Sequence, residues 1–127
     1  AQAGYALGYN DLEFIESLPK FQLPFLSRNK TYRCFQISGD SMPPIAQGSW
    51  VTASFLEDWT KIKNGTPCVV VTKDDGVVFK LVYNKLEDRK SLLLVSTNRS
   101  YEPYEVSVTE VVEIWHFETY NGFDVFE

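Results

Sequence analysis

From Thr31 onward the chain reads as strands. Tyr32, Cys34 and Gln36 alternate with Arg33, Phe35 and Ile37, a period of two that stops at Ser38-Gly39. Met42-Pro43-Pro44-Ile45 cannot continue a sheet, because adjacent prolines remove two backbone donors, and Gly48 opens a second strand over residues 50–55. Residues 67–72 and 77–83 flank Lys73-Asp74-Asp75-Gly76, where Asp-Gly suits the positive φ of a tight hairpin. Residues 92–97 supply another strand and residues 106–120 one or two more, beyond a polar 98–103 loop. The sum is about seven strands, mostly antiparallel, in a mostly β fold. Before Thr31 the chain is punctuated by Gly4, Gly8, Pro19 and Pro24, except where Asn10 can cap a short helix carrying Leu12, Ile15 and Leu18 on one side. The pattern therefore divides the chain into an arm over residues 1–30 and a domain over residues 31–127.

Composition narrows the picture. A length of 127 residues fits one domain with a single core, and 44% hydrophobic with 15% aromatic residues describes an ordered globular chain. The net charge of -5 argues against this segment gripping a phosphate backbone, which requires Lys and Arg to displace counterions, so any DNA contact comes from elsewhere. No apolar run approaches the roughly 20 residues a membrane helix needs, and a cytoplasmic location without membrane partners is expected. Cys34 and Cys68 lack metal-ligand or CxxC spacing and read as small buried hydrophobes in a reducing compartment, with one disulfide as the alternative. Neither a metal nor a cofactor is expected, since no ligand cluster or glycine-rich phosphate loop occurs. The chain opens on Ala1 rather than Met, and a further upstream segment is expected.

Chemistry enters with Lys80. On the strand over residues 77–83 the pleat puts Val78, Lys80 and Val82 on one face and Val77, Phe79, Leu81 and Tyr83 on the other. Both faces are apolar apart from the lysine, so its amine is expected to be buried, although a lysine can also snorkel past a strand edge. Burial disfavours the ammonium, and lowering the pKa from about 10.4 to roughly 7.4 would leave tens of percent neutral amine at pH 7, a competent base. The best candidate nucleophile is Ser41, in Ile37-Ser38-Gly39-Asp40-Ser41-Met42-Pro43-Pro44, where a strand gives way to a tight turn. That turn can aim the backbone N–H groups of Asp40 and Ser41 at the oxygen of a tetrahedral intermediate. His116, the sole histidine, lies in the aromatic stretch Ile114-Trp115-His116-Phe117 and has no motif to support a Ser-His-Asp triad. Trp50, Trp59 and Trp115 read as core rather than stacking platforms.

These pieces, in order, resemble the Ser-Lys peptidase domain of LexA, the UmuD-type proteins and phage-repressor-like regulators. The matching residues are Cys34-Phe35-Gln36-Ile37 leading into Gly39-Asp40-Ser41-Met42, with Pro44 and Gly48; then Val78-Phe79-Lys80-Leu81; then Leu94, Ser96, Asn98, Tyr101 and Pro103; then Val111-Val112-Glu113-Ile114. Ser49 after Gly48, and Leu81 after Lys80, depart from residues common in relatives, and Val111-Val112-Glu113-Ile114 matches the family's closing strand only in part. The resemblance implies a LexA/signal-peptidase-like β fold, Ser41 as nucleophile and Lys80 as base. It also implies a substrate: relatives cut a bond between small residues in the preceding linker, and Ala3-Gly4 fits that role. It further implies homodimerisation, an upstream helix-turn-helix that binds operator DNA, repression relieved by self-cleavage in an SOS-type response, and a RecA filament as trigger. Residues 108–117 are the stretch where a dimer interface is expected, and a monodisperse monomer at high concentration would count against pairing. The competing reading is a dimerisation or effector-sensing module that keeps the fold and does not cut. A UmuD-like polymerase accessory is a further alternative, while a type I signal peptidase would need a membrane anchor that the sequence does not show.

Overall fold

The computed structural model describes residues 16–17, 30–74 and 76–122. Within them the period-two stretches form β1 (Glu16–Ser17), β2 (Tyr32–Gln36), β3 (Trp50–Phe55), β4 (Thr66–Thr72), β5 (Gly76–Lys85), β6 (Ser91–Val95), β7 (Tyr104–Ser107) and β8 (Val111–Asn121). One four-residue helix, α1 (Leu86–Arg89), joins β5 to β6. The strands make a single sheet in the order β1-β2-β3-β8-β4-β5-β6-β7, and every pair is antiparallel. The mostly β, antiparallel architecture is as expected, with the two-residue β1 added to seven longer strands.

The expected N-terminal helix is corrected at the two of its residues that are described. Glu16 and Ser17 lie opposite Gln36 and Phe35 as an edge strand. A helix of two turns is marginal on its own, whereas the open edge of β2 offers backbone partners that local propensity does not foresee. Asn10, Leu12, Ile15 and Leu18 lie outside the described residues.

The central strands are buried on both faces, which is why their sequences run apolar without a gap. On one face Phe35, Ile37, Val51, Val69, Phe79 and Trp115 pack together, and Met42 and Ile45 reach in from the loop after β2. On the other, Cys68, Val70, Val78, Val82, Leu92, Leu94, Val106 and Ile114 form a second core, edged by Trp59, Ile62 and Leu86. Burying a Val, Leu or Ile side chain fully contributes about 1.5–3 kcal/mol. Both cysteines are buried free thiols inside the sheet, and burial pushes Cys68 up to about 12. Trp115 is core, while Trp50 and Trp59 are half-buried.

The loop between β2 and β3 is pinned at its base. Ile37 N–H donates to the Ser49 carbonyl and Gly48 N–H to the Ile37 carbonyl, both at 2.9 Å. Gly39 and Gly48 take φ of 95° and 92°, a left-handed region that costs a side-chain-bearing residue about 1–2 kcal/mol, so glycine marks both ends of the excursion. With Met42 and Ile45 buried, the loop is part of the core rather than a fringe to it.

Leu92 is fully buried and paired in register with Val106. Leu92→Ala is expected to cost about 2–5 kcal/mol, seen as a lower urea midpoint with an unchanged slope.

Candidate functional site

Lys80 sits in the middle of β5, and its side chain is buried in full, at 0% exposure, on the face of the second core between Val78 and Val82. Register explains what it meets. Lys80 is the partner of Cys68 on β4, and Cys68 is in turn the partner of His116 on β8. On the other side Leu81 pairs with Val95, so one step further the chain brings Ser96 beside the lysine. Lys80 Nζ donates to Ser96 Oγ at 2.6 Å, and it lies 5.6 Å from the centroid of the Tyr101 ring. Withdrawal from water works against the ammonium form of such an amine, while the face of an aromatic ring favours it.

Ser41 belongs to the pinned loop and is itself buried, while Asp40 beside it is exposed. The segment that follows β6 grips this turn at several points. Asn98 Nδ2 donates to the Asp40 carbonyl at 3.0 Å, and Asn98 N–H donates to the Ser41 carbonyl at 3.1 Å. Tyr101 OH donates to Asp40 Oδ1 at 2.5 Å, and Thr97 Oγ1 to the Pro43 carbonyl at 2.7 Å. Asn98 also shapes its own segment, accepting from Ser100 N–H at 2.9 Å. The peptide between Asp40 and Ser41 is trans, so its C=O and N–H point in opposite directions. With the Asp40 carbonyl turned to Asn98, the Ser41 N–H faces away from that segment.

Residues 96–101 therefore hold both predicted partners, Lys80 through Ser96 and Tyr101, and the Asp40-Ser41 turn through Asn98 and Tyr101. Ala3 and Gly4, the candidate scissile pair, lie outside the described residues. Ser96, Asn98 and Tyr101 stood in the sequence only as parts of a resemblance, with no role attached. A signal for Ser96 was available: it continues the face of Leu92 and Leu94, where the alternation calls for another apolar side chain.

The same row runs on past Cys68. His116 pairs with Ser54 on β3, and Glu118 accepts from Ser54 Oγ at 2.6 Å and lies 3.3 Å from His116 Nδ1. Lys30 Nζ reaches the same carboxylate at 3.5 Å. Burial alone would push the Glu118 carboxyl up, but the Ser54 hydrogen bond, the Lys30 ammonium and His116 together hold it below its ordinary value. His116 is thus beside the Glu118 carboxylate, which Ser54 also bonds, on the β3 side of the row, separated from Lys80 by the fully buried Cys68.

The family model described as Peptidase S24-like matches residues 2–115, nearly the whole chain. Among curated proteins none matches it. No helix among the described residues is long and apolar enough to cross a membrane.

A carboxyl with a depressed folded pKa adds stability that is present above its unfolded value and disappears as pH falls through the folded one. Glu118→Gln is therefore expected to destabilise the protein at pH 7, and the gap in urea midpoint between parent and variant should close as pH drops below 4.5. A gap that stays constant down to pH 3 would mean that the carboxylate charge contributes nothing.

Proposed function

Because the chain belongs to the Peptidase S24-like family, we propose that it is a Ser-Lys peptidase domain acting on its own preceding segment, with Ser41 as nucleophile and Lys80 as base. The observation that carries this reading is a lysine at 0% exposure whose amine is bonded to the segment that also grips the Ser41 turn. A lysine is seldom taken out of water for structure alone, since an apolar residue would fill the space without the desolvation penalty.

The chemistry follows from the two groups. Neutral Lys80 takes the proton of Ser41 Oγ as that oxygen bonds to the Ala3 carbonyl carbon. The oxygen of the tetrahedral intermediate receives the Ser41 N–H, which points away from Asn98, and the Asp40 N–H. Collapse breaks the bond to Gly4, and the departing amine takes the proton back from the Lys80 ammonium. Water then gives a proton to the again neutral Lys80 amine as it adds to the Ala3 carbonyl carbon, and Ser41 Oγ leaves as the ester bond breaks and takes that proton back from the Lys80 ammonium. Delivery of the arm within one chain gives the substrate a high effective concentration, so little affinity for external peptides is needed.

The regulatory setting we propose rests on resemblance and not on these residues: a homodimer, an upstream helix-turn-helix on a two-fold operator, and cleavage that uncouples the heads and lowers their joint DNA affinity. Val112, half-exposed on β8, falls in the stretch expected to meet a second copy.

A chain carrying residues upstream of Ala1, incubated at mildly alkaline pH, is expected to yield a product that begins at Gly4 by N-terminal sequencing. Ser41→Ala and Lys80→Ala should each reduce the yield by at least about a thousandfold. Cleavage persisting in either variant would refute the dyad. An uncut parent would favour a module that keeps the fold and binds without cutting.

A further inference from the structure

A base that acts once must be aimed. A neutral amine has two N–H groups and a single lone pair, and rotation about the Cε–Nζ bond sweeps that lone pair through every direction around the axis. Lys80 can accept the Ser41 proton only if its two N–H groups are held elsewhere. We propose that Ser96 is the positioning residue for this lysine: its Oγ takes one N–H and so turns the lone pair toward Ser41. The proposal rests on the dyad reading above and assigns a role that neither the motif around Ser41 nor the one around Lys80 contains.

Three observations carry it. The contact is short, 2.6 Å from Lys80 Nζ to Ser96 Oγ. Both groups are out of water, the lysine at 0% and Ser96 at 8% exposure, so water does not readily substitute for the hydroxyl. The placement is a property of the sheet: β6 pairs with β5 through Leu81 and Val95, which fixes Ser96 alongside Lys80 with no flexible loop between them. The ring of Tyr101, 5.6 Å from the amine, covers a second side and is itself tied to Asp40, the neighbour of Ser41. Amine and nucleophile are thus referred to the same short segment.

The proton balance assigns Ser96 two states. Before transfer it accepts an N–H of the neutral amine. After the Ser41 proton moves onto the lone pair, it accepts an N–H of the ammonium, a stronger bond that steadies the charged form until the leaving amine takes the proton. Ser96 touches neither the substrate nor the reacting carbonyl in this scheme, and acts only through Lys80.

Thr and Val are nearly equal in shape and both suit a strand, so they separate the hydroxyl from the space it fills. In the self-cleaving chain with its upstream residues, Ser96→Thr is expected to keep the rate within about threefold, and Ser96→Val to lower the alkaline plateau by about tenfold to a hundredfold. Removing an acceptor from the ammonium also disfavours the charged form, so the midpoint of the pH–rate curve should move to lower pH in Ser96→Val. Thermal melts of the two variants control for folding. A Val variant with the plateau and midpoint of the Thr variant overturns the proposal, as does a lowered plateau with an unmoved midpoint, which would assign Ser96 to packing. If the parent does not cut, or Lys80→Ala still cuts, the dyad itself fails and the role of Ser96 fails with it.

Discussion

An amine withdrawn from water loses its hydration whichever protonation state it takes, and the groups around it must compensate without supplying a full counter-charge if it is to remain a base. In the proposed dyad the bond from Lys80 to Ser96 meets that constraint, and much of the fold can be traced from it. It requires β6 to lie against β5 in one register, since a slip of one residue would turn Ser96 to the opposite face. It requires β4 on the other side, where Cys68 presents a thiol that burial keeps protonated and uncharged. The central strands are covered on both faces, and the second core closes over the lysine's own side.

The Asp40-Ser41 turn, the second half of the proposed site, is anchored by a different device. The excursion between β2 and β3 leaves the sheet at Gly39 and returns at Gly48, and it is sealed into the opposite core by Met42 and Ile45. Its carbonyls are caught by Asn98 and its Asp40 carboxylate by Tyr101. Two separately anchored pieces, one a strand and one a loop, are therefore registered against each other by residues 96–101. Backbone acceptors make that registration insensitive to most side-chain changes in the loop.

How much of this was legible in advance differs by residue. The strands over residues 32–36 and 50–55 appear where alternation and the prolines put them, because both signals are local. Lys80 was legible because a charge between valines contradicts its surroundings, and the contradiction is itself local. Glu16 and Ser17 were misread as helix, because an edge strand is defined by a partner nearly twenty residues away along the chain. Ser96 was half-legible: its place in an apolar alternation was visible, but the reason for it depends on pairing between β5 and β6. The row from Ser54 through His116 and Cys68 to Lys80 was not legible, because it crosses four strands whose order does not follow the sequence. Glu118, two residues from His116 on the same strand, was within local reach, but the Ser54 hydroxyl that holds its carboxylate comes from another strand.

In the proposed dyad Lys80 is held as a base rather than as a permanent cation. The direct measurement is the ionisation of that amine, followed by NMR through the ε-carbon of labelled lysine in folded Ser41→Ala protein, where cleavage cannot intervene. The dyad predicts a midpoint well below the ordinary lysine value of about 10.4. A midpoint at or above that value, in a protein whose Lys80 remains buried, would contradict it.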